Sequence, residues 1–222
     1  MEFLRLRPGQ GGYRVLLWTL AALLVLRPII EEFGNRPWLL PLFFSIVLLA
    51  SVWSVSQNRR HVIVVAILAL IAAGGEWSRL TEYGLNQVIP GLAGVIAFSW
   101  IAVVLGQDVF RDREYISADM IYGGINVYVL VAVAFATAYK VQVLLVPDSI
   151  NGLSANSTIG DTLYYSFITI TTLGYGDFTP VTDNARMLAS TEAVFGQLYI
   201  AVLLAKLVAT HISGKGGSDR QS

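Results

Sequence analysis

Thr171-Thr172-Leu173-Gly174-Tyr175-Gly176-Asp177 is the stretch on which the fold reading turns. Gly174 and Gly176 stand one residue apart. Without a Cβ, each admits backbone conformations closed to other residues. Successive carbonyl oxygens can then point one way, as a row of bare acceptors. Apolar runs flank the stretch, at residues 120–146 before it and 185–211 after it.

Working outward, composition names the solvent. The 222-residue chain is 55% hydrophobic and 14% charged, with a mean hydropathy of +0.62. So much apolar surface fits an integral membrane protein better than a soluble one. With 15 basic and 15 acidic residues the net charge is zero, and nothing points to a nucleic-acid partner. There is no cysteine, which excludes disulfides, thiolate metal sites and cysteine nucleophiles. No repeat, phosphate loop or catalytic constellation stands out, so neither an enzyme nor a bound cofactor is expected.

A spanning helix needs roughly 20 apolar residues. Residues 13–30, 38–56, 62–77, 88–105, 120–146 and 185–211 are the candidate spans. The third is weakest, because its apolar run stops at Gly75 before Glu76. Arg5, Arg7 and Arg14 precede the first run as in a secretory leader, but no small-x-small site follows, so a retained span is expected. Basic residues gather in alternate loops: Arg5, Arg7 and Arg14; Arg59 and Arg60; Arg111 and Arg113; Lys215 and Arg220. The intervening loops hold fewer, which predicts both termini cytoplasmic and the Gly174-Tyr175-Gly176 loop outside.

Residues 161–171 read as a short helix that Thr158 or Asp161 can cap. Its length is roughly 16 Å, about half a bilayer. It is expected to enter and turn back, with its negative dipole end toward the membrane centre. Irregular backbone at that depth is tolerated only where protein surrounds it.

With these elements in order, residues 120–211 resemble the pore domain of tetrameric potassium channels: outer helix, pore helix, filter, inner helix. The fold class expected is an all-α membrane protein with six transmembrane helices, a re-entrant pore helix and a selectivity filter. The resemblance implies that the carbonyls of Thr172, Leu173, Gly174 and Tyr175 bind dehydrated potassium, in backbone extended through Gly176, with the Thr172 hydroxyl as innermost ligand. It implies a cuff in which Tyr164 and Tyr165 brace Tyr175 and Asp177, where such channels commonly carry two tryptophans; Thr171 is a further filter-support residue. Leu173 replaces the more usual valine or isoleucine. Ile168 stands where some members place a glutamate paired with the filter aspartate, so filter inactivation is expected to differ from theirs. One motif per chain encloses no pore, and closed symmetry then implies a homotetramer. The partners expected are potassium, the lipid bilayer of the cell membrane and further copies of the chain.

Gly196 lies where the family often has a hinge glycine; close packing on the pore helix is the other reading. Val202, Leu203, Leu207 and Ala209 are candidates for an apolar constriction. Glu192 and Lys140 lie at comparable depth, and intramembrane charges usually pair. A Glu192–Lys140 contact is one expectation. The other is that Glu192 faces hydrated protein while Lys140 snorkels.

The front half, residues 1–106, resembles a voltage-sensor domain by the count and order of its spans. Its fourth span, 88–105, has no Lys or Arg. At roughly 2.3 kcal/mol per charge per 100 mV, it offers little voltage leverage. Residues 107–118 are expected as an amphipathic linker to the pore domain 119–212, and residues 213–222 as a flexible cytoplasmic tail without a regulatory domain. The leading expectation is a passive potassium channel. A non-conducting subunit and a potassium transporter with a related pore loop are the alternatives.

Overall fold

The computed structural model describes residues 13–22, 45–46, 59–78, 87–111 and 117–218. Most of the first two expected spans, and residues 112–116 of the expected linker, lie outside them. The longer helices are α1 (Arg59–Ser78), α2 (Val88–Val109), α3 (Ala118–Leu145), α4 (Ile159–Ile170) and α5 (Asp183–Ser218). Residues 13–22 are also helical. Within these, Val88–Val109, Met120–Leu145 and Asp183–Ile212 are long and apolar enough to cross a membrane. Among the described residues of α1, Ile63–Gly74 is a shorter apolar stretch.

Small residues bring α2 onto α3. Gly91, Gly94, Ala97, Phe98, Ile101 and Leu105 are buried along one stripe of α2. A Cβ on Gly91 would lie 2.5 Å from Val141 Cγ2, and one on Gly94 would lie 3.2 Å from Thr137 Cγ2. Between helices in lipid such close approach, rather than hydrophobic drive, supplies the attraction. The opposite stripe of Ile89, Leu92, Ile96 and Val103 is exposed. The stretch 13–22 joins through Tyr13, whose hydroxyl donates to Asp108 at 2.6 Å and whose carbonyl accepts from Asn126 at 2.7 Å.

The start of α4 follows from its cap. Thr158 Oγ1 accepts from the Asp161 amide at 3.3 Å, and the Asp161 carboxylate accepts from the Thr158 amide at 2.7 Å. This reciprocal box starts the helix at Ile159, two residues before the expected 161, and is worth about 1 kcal/mol. The segments before and after α4 meet as a two-residue antiparallel pair, β1 (Ile150–Asn151) and β2 (Thr179–Pro180), with Ile150 opposite Pro180. This small pair departs from the all-α expectation. It closes the loops that carry α4 in and out, helped by the Val181 amide on the Ser149 carbonyl at 2.9 Å.

α5 runs helical to Ser218, into the stretch expected as a flexible tail. No proline stops it, and adding a residue to an existing helix is far easier than nucleating one.

Candidate functional site

α4 ends at Ile170, and the chain folds back against the helix's own last turn. The Thr172 amide donates to the Thr169 carbonyl at 2.9 Å and the Gly174 amide to the Ile168 carbonyl at 3.0 Å. Thr171 Oγ1 donates to the Phe167 carbonyl at 2.6 Å. These bonds satisfy carbonyls that a helix C-terminus leaves open.

From Thr172 to Gly176 the sign of φ alternates. Thr172 (58°), Gly174 (51°) and Gly176 (83°) are positive, whereas Leu173 and Tyr175 are not. Alternating hand gathers successive amides on one side of the chain and so leaves the carbonyls for the other. The amides of Thr172 and Gly174 are those turned back to α4. Among the described residues of a single chain, a Cβ on Gly174 or Gly176 would meet nothing within 4 Å, so within the chain it is φ that calls for glycine. Thr172 is β-branched, and a positive φ there is a strained outlier of the kind that clusters at functional sites. Its hydroxyl donates to the Thr171 carbonyl at 2.7 Å, with Gln197 Nε2 of α5 at 3.5 Å. Leu173 and Tyr175 are 54% and 69% exposed in a single chain.

The two tyrosines of the expected cuff divide. Tyr164 donates to Asp177 Oδ2 at 2.8 Å, and that hydrogen bond raises the Tyr164 phenol above its ordinary pKa. Tyr165 turns inward instead. It is buried against Tyr139, with ring centroids 4.7 Å apart, and Phe178, and among the described residues its hydroxyl meets no hydrogen-bond partner. Neighbours on a helix diverge by about 100°, so two consecutive side chains do not share one target. Ile168 fills the same apolar cluster.

The Glu192–Lys140 contact does not form. Glu192 is fully buried and bonds Tyr139 and Ser166. Lys140 sends Nζ to the carbonyls of Ala155 and Ser157 at 2.7 and 2.5 Å. Tyr139 and Lys140 are adjacent on α3, so when the first faces Glu192 the second faces the loop.

Gly196 packs on the end of α4: a Cβ there would lie 2.3 Å from the Ile170 carbonyl oxygen. That oxygen also accepts from Tyr128 at 3.1 Å. Of the expected constriction residues, Leu203 packs against Gly124 of α3, whereas Val202 and Ala209 are exposed. Sequence reasoning missed Tyr128, Tyr139, Ser166 and Gln197. For Tyr139 and Ser166 the available signal was the lone carboxylate of Glu192, which demands hydroxyl or cationic partners inside an apolar bundle.

The comparisons with known proteins fall on this part of the chain. Residues 127–212 match the family model described as ion channel. The matched segment runs from within α3 to α5 and contains α4 and the whole sign-alternating backbone. The chain is 27% identical over 110 residues to "Two pore potassium channel a" of Oryza sativa subsp. japonica, covering 44% of this chain and 30% of that protein. It is 36% identical over 62 residues to "Two-pore potassium channel 1" of Arabidopsis thaliana, covering 28% of this chain and 17% of that one. The chain thus spans under a third of the length of these relatives. No solved structure matches significantly.

Proposed function

We propose that this chain is one subunit of a potassium-selective channel, in which four copies surround an axis lined by the 171–177 backbone. The alternation of φ from Thr172 to Gly176 inside the ion-channel segment carries the reading. With the amides of Thr172 and Gly174 tied back to α4, the carbonyls of Thr172, Leu173, Gly174 and Tyr175 face the axis. They replace the water that a potassium ion sheds. The Thr172 hydroxyl completes the innermost ligand set, and the C-terminal end of α4 adds favourable negative potential for a cation.

Assembly is supported by what one chain leaves bare. Leu173 and Tyr175 are exposed beside the filter, as are Val194, Leu198, Val202, Val208 and Ile212 along α5. Contiguous apolar surface of this kind fits burial against other copies and lipid. In this reading α4 is re-entrant, the six spans lie in the cell membrane with both termini cytoplasmic, and conduction is passive. The front spans lend little voltage dependence, because α2 has no Lys or Arg.

The purified chain in liposomes tests the proposal. Potassium flux that follows the Nernst potential, with sodium excluded, is the expected outcome. Equal sodium passage, flux against the gradient or no flux at all would each overturn it, the last two favouring a transporter and a non-conducting subunit.

Tyr164 gives a local check. Tyr164→Phe removes the hydrogen bond to Asp177, worth about 1 kcal/mol, and leaves the ring contact with Phe178. Macroscopic current in planar bilayers is expected to decay about fivefold faster, the factor that corresponds to that energy. Decay at the wild-type rate would mean that this bond does not brace the filter.

A further inference from the structure

Glu192 is fully buried where α3, α4 and α5 meet. Tyr139 Oη of α3 lies 2.5 Å from Glu192 Oε2. Ser166 Oγ of α4 touches Glu192 Oε1, and it also lies 2.7 Å from the Ala132 carbonyl oxygen of α3. These are three oxygen–oxygen contacts, and each needs one proton between its oxygens. The hydroxyls of Tyr139 and Ser166 hold one proton each, and a backbone carbonyl holds none. Two protons do not fill three contacts. An ionised carboxylate only accepts, so with Glu192 charged one contact of Ser166 would set lone pair against lone pair. A protonated Glu192 supplies the missing proton: it donates to Ser166, Ser166 donates to Ala132, and Tyr139 donates to Glu192.

The surroundings agree. Among the described residues, the titratable groups facing Glu192 are Tyr128 and Tyr139 from α3 and Tyr165 from α4. Lys140 of α3 turns its ammonium to the carbonyls of Ala155 and Ser157. On α5 the nearest charges toward the helix start, Asp183 and Arg186, are exposed and sit together at 3.7 Å. A buried carboxylate without a cation takes its neutral form.

We propose that Glu192 is a neutral carboxylic acid in the folded protein and that its proton latches α4 to α3 and α5. Ser166 stands on the helix whose last carbonyls hold the amides of Thr172 and Gly174. Loss of the proton to solvent breaks one link of the Glu192–Ser166–Ala132 chain, leaves a bare charge at the junction and loosens the carrier of the 171–177 backbone. Glu192 is thus a positioning residue. Its protonation state stands apart from the conduction reading, whereas its effect on flux rests on that reading.

Infrared spectroscopy of the purified full chain tests the first part. At neutral pH exposed carboxyls are ionised, and the carbonyl stretch of a protonated carboxylic acid is expected from Glu192. Glu192→Gln is expected to remove that band. Ser166→Ala, which deletes the acceptor, is expected to move it to higher frequency. No such band in the wild-type protein, or a band that neither substitution alters, overturns the assignment. Liposome flux tests the second part. Wild-type potassium flux is expected to be mostly lost as pH rises through the point where the band disappears. Glu192→Gln, whose amide donates to Ser166 and accepts from Tyr139, is expected to show the same flux at both ends of that range, whatever its level. Equal pH profiles for the two proteins overturn the latch. Absence of flux from every variant at every pH would instead sink the channel reading, with the infrared result still deciding the state of Glu192.

Discussion

Replacing Gly176 with alanine is expected to abolish selective potassium flux without unfolding the protein. Gly176 has a φ of 83°, where a Cβ collides with its own backbone at a cost of about 1–2 kcal/mol. Among the described residues of one chain no neighbour stands within 4 Å of that Cβ, so within the chain the penalty is conformational and no repacking relieves it. The backbone escapes by returning to negative φ. That reverses the alternation begun at Thr172 and turns a carbonyl off the common side. In a pore of four chains the strain is repeated, to about 4–8 kcal/mol per assembly. Gly176 lies outside every described helix, so circular dichroism is expected to match the wild type while liposome flux falls below detection. Wild-type flux with sodium still excluded would mean that the sign of φ at 176 does not matter, and the argument for the filter would fail with it.

Gly196→Ala is expected to lower thermal stability, and here the sign of the effect separates two readings of one glycine. Inside a free helix, glycine to alanine stabilises by roughly 1 kcal/mol. A glycine needed only as a bending point would give that increase. The structure puts the new Cβ 2.3 Å from the Ile170 carbonyl oxygen and 2.7 Å from Ile170 Cγ1. The oxygen belongs to the backbone, so α5 and α4 must separate or α4 must shift. Such overpacking costs about 1–3 kcal/mol. The hydrogen bond from Tyr128 to the same oxygen moves with it. Net destabilisation of up to about 2 kcal/mol follows from the difference between these terms. Thermal unfolding in detergent measures it, and a raised Tm would refute close packing. Ile170 immediately precedes Thr171, so potassium flux is expected to fall together with Tm.

Several elements could be read before any coordinates. The glycines of 171–177 and the cap at Thr158 and Asp161 both depend on near neighbours in the chain. Local rules govern such features: which φ a residue admits, and which side chain reaches an amide three residues on. The partners of Glu192 were of another kind. Depth along two helices made Lys140 a reasonable match, but depth does not say which way a side chain points. Rotation of α3 turned Tyr139 to the carboxylate and Lys140 to the loop carbonyls. The same cause split Tyr164 from Tyr165, since one face of α4 looks toward Asp177 and the next residue toward Tyr139.

By itself, the sequence determined an apolar helical chain carrying one backbone stretch of alternating glycines, because composition and the missing Cβ atoms act locally. Only the tertiary structure decided how that stretch is held: amides turned back onto α4, Gly196 against the Ile170 carbonyl, and a buried carboxyl shared by three helices. Those contacts depend on the rotation and separation of helices distant in sequence, which no local periodicity encodes.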